Sequence, residues 1–81
     1  MQYIRRGARV VPEEPPPAPA GTVRTYSPPG DVRIGDFILL DGRYQRIRDM
    51  RSAGTTSSRV LHFVGRPPWI MREARTVYRP I

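Results

Sequence analysis

Val32-Arg-Ile-Gly-Asp-Phe-Ile-Leu-Leu40, then Asp41-Gly42-Arg43, then Tyr44-Gln-Arg-Ile-Arg-Asp-Met50: an apolar run, a turn and a second run threaded with arginine. Asp-Gly favours the φ > 0 backbone that a tight hairpin connection needs, so the three pieces predict two antiparallel strands. Gly35-Asp36 reads as a bulge or bend inside the first run, since glycine weakens a regular strand. Beyond it, Phe37 and Leu39 fall on one face and Ile38 and Leu40 on the other. Both faces are apolar, which predicts a central strand or one covered on both sides. In the second run Arg46 and Arg48 share a face and Ile47 takes the other. Tyr44, Ile47 and Met50 also fit a helical turn, as does the stretch from Met71 to Ala74. The turn chemistry and the shortness of these segments argue for strands.

Outward from the hairpin, three more strands are expected: Arg59 to Val64, Trp69 to Arg72 and Arg75 to Arg79. Ser52-Ala-Gly-Thr-Thr-Ser-Ser58, Gly65-Arg-Pro-Pro68 and Glu73-Ala74 separate them. Five short strands with no room for crossover helices imply an antiparallel meander. Closing it into a small barrel would remove the exposed edges. The expected fold is therefore all-β, a five-stranded antiparallel barrel over residues 31–81.

Residues 1–30 read differently. The chain has ten prolines, seven of them between Pro12 and Pro29, and a tract of this kind forms stiff polyproline II. Thr22 to Tyr26 is a short extended segment within this linker. Ile4 and Val10-Val11 suggest a short edge strand in the arm before it. Arg9-x-x-Pro12-x-x-Pro15 fits the basic polyproline pattern that SH3 domains read, a pattern that also arises readily in any Pro-rich linker.

The phrase Val32-x-Ile34-Gly35-Asp36-x-Ile38-x-Leu40-x-Gly42, followed by Tyr44 and Ile47, resembles the opening of SH3-like barrels, KOW-type modules in particular. The same segment is similar to small proteins of high-GC actinobacteria and their phages. The resemblance covers about 50 of the 81 residues. A KOW module carries a Gly-x-x-Gly after the start of its second strand, and this chain does not. What the resemblance implies is chiefly the fold.

The net charge is +7, all fourteen basic residues are arginine, and cysteine is absent. No disulfide can staple the domain and no thiolate can hold zinc. A core of roughly 50 residues is marginal alone. Tight β packing, self-association or docking of the N-terminal segment are the remaining routes to stability. A sequence pI near 11.3 favours nucleic acid, an anionic membrane or an acidic protein as partner. Arginine suits phosphate and base contacts, and coding bias in a high-GC genome produces the same composition. No secretory h-region and no apolar run of spanning length is present, so a cytoplasmic protein is expected.

Arg43, Arg46 and Arg48 are interleaved through the second strand, Arg51 lies just beyond it, and Arg59 opens the next. Gathered into one patch, they would meet phosphates, with Tyr44 and Trp69 as stacking platforms. The same arginines would also serve simply to solvate the outside of a barrel. Trp69 follows a rigid Pro-Pro turn and suits either a binding groove or a core cap. Asp36, Asp41 and Asp49 are accounted for by a bend, a turn and an arginine neighbour. His62 is a lone strand histidine, so neither a metal nor another cofactor is expected. The reading is a non-enzymatic module that binds nucleic acid through its phosphates with little sequence preference. The alternative is a protein-interaction adaptor or inhibitor, acting through the barrel face or the arm on an acidic partner or a second copy.

Overall fold

Asp41 and Gly42 both adopt φ > 0, at 52° and 78°, and they close the expected hairpin. A computed structural model describes residues 16–54 and 56–81. Strands β1 (Thr22–Ser27), β2 (Phe37–Leu40), β3 (Arg43–Arg46), β4 (Asp49–Ser52), β5 (Arg59–His62), β6 (Trp69–Met71) and β7 (Arg75–Pro80) form two antiparallel sheets. The first has the order β1-β7-β2-β3, and the second β4-β5-β6. The edge strand read at Ile4 and Val10-Val11, and the motif from Arg9 to Pro15, lie outside the described residues.

The chain is all-β, as expected, but the count is seven strands in two sheets, and the ladders of the described residues do not close into a barrel. Two local features account for the difference. First, the expected second strand divides at Ile47. The Ile47 N–H donates to Asp36 O and its carbonyl accepts from the Gly35 N–H, both at 2.9 Å, whereas the Arg48 N–H donates to His62 O at 2.8 Å. The backbone thus leaves the first sheet at one residue and joins the second at the next. Second, Thr22–Ser27, the extended segment of the Pro-rich linker, pairs along its whole length with β7, from Thr22↔Pro80 to Ser27↔Arg75. The strand reading holds over the helical alternative: Tyr44 to Met50 runs through β3 and β4, and among the described residues the single 3-10 turn is Pro29–Asp31.

Both sheets contribute to one core of Val32, Ile38, Leu40, Ile47, Leu61, Met71 and Val77, with Met50, Phe63 and Trp69 packed against it. Each fully buried aliphatic side chain contributes roughly 1.5–3 kcal/mol. β2 is central, flanked by β7 and β3. Ile38 and Leu40 point into the core, while Phe37 and Leu39 are half-buried on the outer face, matching the two apolar faces of its sequence.

The bend before β2 is fixed by a buried carboxylate. Asp36 is 1% exposed. Its oxygens accept from the Arg33 N–H at 3.0 Å and from Arg79 Nε and Nη2 at 3.0 and 2.9 Å. Arg79 Nη2 also donates to Asp31 O at 3.1 Å. The carboxylate holds the guanidinium of Arg79 above its ordinary range. Gly35, at φ 99°, supplies the conformation the turn requires.

Candidate nucleic-acid interface

Register places one row of side chains across all four strands of the first sheet. Arg24 lies opposite Tyr78, Tyr78 opposite Phe37, and Phe37 opposite Arg46. Residues directly opposite one another share a face, so two aromatic rings stand between two arginines on the outer surface. The next row runs Tyr26↔Thr76 and Leu39↔Tyr44. Tyr44 and Tyr78 meet edge to face, with centroids 5.1 Å apart, and the Arg46 guanidinium sits 5.7 Å over the Phe37 ring. Such contacts at exposed sites contribute about 0.5–1 kcal/mol and hold the cation in place. Burial raises the Tyr44 phenol above its ordinary range; Tyr78 adds to the effect and Arg24 opposes it.

Arg43, Arg46 and Arg48 are all exposed. Arg46 and Arg48 line one open depression of about 540 Å³ with Ile34, Gly35, Gln45, Ile47 and Val64. Ile34 and Val64 are exposed apolar residues at 58% and 67%. The two arginines that alternate with Ile47 are therefore in company. Among the described residues neither has a carboxylate partner.

The other expected site residues stand apart. Arg51 lies on β4 and pairs with Asp49 at 3.1 Å. The Met50 N–H and Arg51 hold the Asp49 carboxyl below its usual range. Arg59 on β5 donates to the carbonyls of Ser57 and Ser58. Trp69 lies on β6 opposite Leu61 and packs against the core. Its ring carries Arg75 at 5.0 Å, and Arg75 also donates to Leu39 O at 3.2 Å. Trp69 and Arg75 share a separate cleft of about 450 Å³ with Ile70, Arg72, Glu73 and Ala74. The three aspartates do not converge: each faces its own arginine, Asp36 with Arg79, Asp41 with Arg66 and Asp49 with Arg51.

Arg24 and Phe37 belong to the outer face but do not stand out as site residues in the sequence, and Tyr78, an aromatic of the last strand, gains its place there only from pairing. Only the β1–β7–β2 register sets them beside Tyr44 and Arg46. Among the described residues no helix is long and apolar enough to cross a membrane. Compared with known proteins, the chain matches no family model, no curated protein and no solved structure.

Proposed function

We propose that this protein is a small non-enzymatic module that binds single-stranded nucleic acid on the outer face of its four-stranded sheet. The observation that carries this reading is the row Arg24, Tyr78, Phe37 and Arg46, with cations at the margins and aromatic rings between them. Aromatic platforms stack bases of any identity, and flanking arginines follow the phosphates. Tyr44 extends the platform and Arg48 extends the basic margin along the same chain segment, whereas Arg43, opposite inward-facing Leu40, falls on the other face of β3. Little sequence preference follows, because stacking and phosphate contacts do not read base edges. The SH3-like resemblance of the hairpin is compatible with two antiparallel sheets between which the chain bends at Ile47. A cytoplasmic setting goes with such a partner.

The test is binding of random single-stranded DNA and RNA oligonucleotides across a salt series. Saturable binding that weakens steeply with salt supports the reading, and no binding at low salt defeats it. An acidic protein partner or a second copy is the alternative. It is favoured by exposed Ile34 and Val64 beside Arg46 and Arg48, a mixed apolar and basic surface that suits a protein better than a phosphate chain.

A further inference from the structure

The two sheets have four edge strands, β1 and β3 in the first and β4 and β6 in the second. β6 has three residues, β3 and β4 have four each, and β1 has six. Exposed arginines open and close β3, and β4 carries the Asp49–Arg51 pair. Charge on an edge opposes pairing with another strand. β1, Thr-Val-Arg-Thr-Tyr-Ser, has a single charge and no proline, and its register with β7 is unbroken by a bulge. Threonine, valine and tyrosine favour strands. Val23 is 51% exposed and Tyr26 73%.

The open side of β1 can be assigned residue by residue. The Ile81 N–H donates to Gly21 O at 2.9 Å, and the β1–β7 register makes these two residues opposite neighbours. Hydrogen-bonded and non-hydrogen-bonded pairs alternate along an antiparallel ladder. Val23, Thr25 and Ser27 therefore turn their backbone groups toward β7, and Thr22, Arg24 and Tyr26 turn theirs away. Pro80, opposite Thr22, agrees: its missing N–H falls where β1 needs no donor. Among the described residues no strand lies on that outer side.

A second β1 fits there antiparallel about a two-fold axis, and the side chains choose the register. With the axis at Arg24, like charges stand directly opposite, which is destabilising. With the axis at Val23 or Tyr26, the strands overlap less. With Thr25 on the axis, Arg24 lies opposite Tyr26 of the second copy, and Tyr26 opposite its Arg24. Each pair sets a cation beside an aromatic ring, and the two threonines on the axis are a further favourable pair. Pro28, just past Ser27, ends the ladder.

We propose that β1 is a self-association edge: two copies of this chain pair through it with Thr25 on the two-fold axis, joining their four-stranded sheets into one. The second copy then adds to the outer face. The row Arg46, Phe37, Tyr78 and Arg24 continues into Tyr26 and Thr76 of the second copy. Arg24, at the margin of one sheet, comes to stand between two tyrosines. The proposal stands without the nucleic-acid reading, and its test uses no nucleic acid.

Sedimentation of the full-length protein should show a monomer–dimer equilibrium that moves toward dimer as concentration rises. Arg24→Pro removes an outward N–H, a change that edge strands tolerate. It should weaken dimerisation by about tenfold or more, because a hydrogen bond is lost on each side of the axis. Tyr26→Lys keeps the backbone donor and sets a like charge against Arg24 of the second copy. It should also weaken the dimer, and it decides the matter should Arg24→Pro disturb the fold. The chain has no cysteine, so Thr25→Cys and Val23→Cys each supply a single thiol. Cα atoms of a non-hydrogen-bonded pair on the axis are about 4.5 Å apart, within disulfide reach. Mild oxidation should link Thr25→Cys into a dimer and leave Val23→Cys, more exposed but off the axis, largely unlinked. A protein monomeric at every concentration, a dimer indifferent to Tyr26→Lys, or faster linking at Val23 than at Thr25 overturns the proposal. The Arg24 and Tyr26 amides should gain protection from exchange as concentration rises. Protection independent of concentration would mean that another part of the same chain covers the edge, and that too overturns it.

Discussion

Asp36 and Arg79 form a two-pronged ion pair that ties the bend before β2 to the end of β7, with Nε and Nη2 of the arginine at 3.0 and 2.9 Å from the carboxylate. Arg79 is 20% exposed and Asp36 1%, so neither charge is well solvated if its partner is removed. Breaking such a pair costs about 3–5 kcal/mol. Asp36→Ala should lower the urea midpoint accordingly, while Asp36→Ala combined with Arg79→Met should recover a large part of the loss. A double variant no more stable than Asp36→Ala alone would show that the Arg33 N–H contact, rather than the arginine, is what the carboxylate serves.

Arg66 presents the opposite case. Its Nη2 reaches exposed Asp41 at 3.3 Å, its guanidinium lies 5.8 Å from the Phe63 ring centre, and its buried Nε has no hydrogen-bond partner among the described residues. A surface pair contributes about 0–1 kcal/mol, and an unsatisfied buried donor costs about 1–3 kcal/mol. Arg66→Leu keeps the packing on Phe63 and removes the donor. Chemical denaturation should find it as stable as the native chain or more so. A loss above about 1 kcal/mol would show the ion pair to be worth more than surface pairs of its kind.

Tyr44 sets an alkaline limit on its own hydrogen bond to Pro16 O. Its phenol is raised above the ordinary value near 10.0, so the folded state favours the neutral form. That contribution is fully present below the unfolded pKa and is lost as pH rises through the folded one. The tyrosinate has no proton to donate to Pro16 O. Ultraviolet titration should show one tyrosine ionising later than the rest, and the late step should vanish in Tyr44→Phe. The amide resonance of Ala18, close to that contact, should move over the same pH interval.

Under the nucleic-acid reading, arginines of the face and arginines elsewhere should behave differently. Arg46→Ala and Arg48→Ala should each reduce the salt slope of oligonucleotide binding by about one. Tyr78→Leu should weaken binding by about 1–3 kcal/mol with the slope unchanged, because it removes stacking rather than a phosphate contact. Arg51→Ala, on β4 and paired with Asp49, should leave both quantities as they are. Equal losses from Arg46 and Arg51 would mean that net charge, rather than the face, governs affinity.

The hairpin was legible because its cause is local: Asp41-Gly42 needs φ > 0, and four apolar residues precede it. The division of the second strand was not. Ile47 looks like an ordinary inward strand residue, and only its bonds to Gly35 and Asp36 show that the first sheet ends there. Thr22–Ser27 sits among prolines and finds its partner in β7, a pairing that no local pattern can announce. The site follows the same division. Arg46 and Arg48 could be read from alternation along one strand. Trp69 was drawn into the expected site by chemistry alone, and the β5–β6 register turns it toward the core. Tyr78, Phe37 and Arg24 became neighbours of Tyr44 only through contacts distant in sequence.

The pairing of Thr22 with Pro80 has a practical consequence. The chain enters and leaves the two-sheet body at adjacent points, a strand's width apart. A unit with that geometry can be spliced into a surface loop of an unrelated host without spreading the loop, since its two attachment points ask for no more room than a hairpin. The body from β1 to β7 is in that sense a cassette. It can be carried on another scaffold with its aromatic face outward.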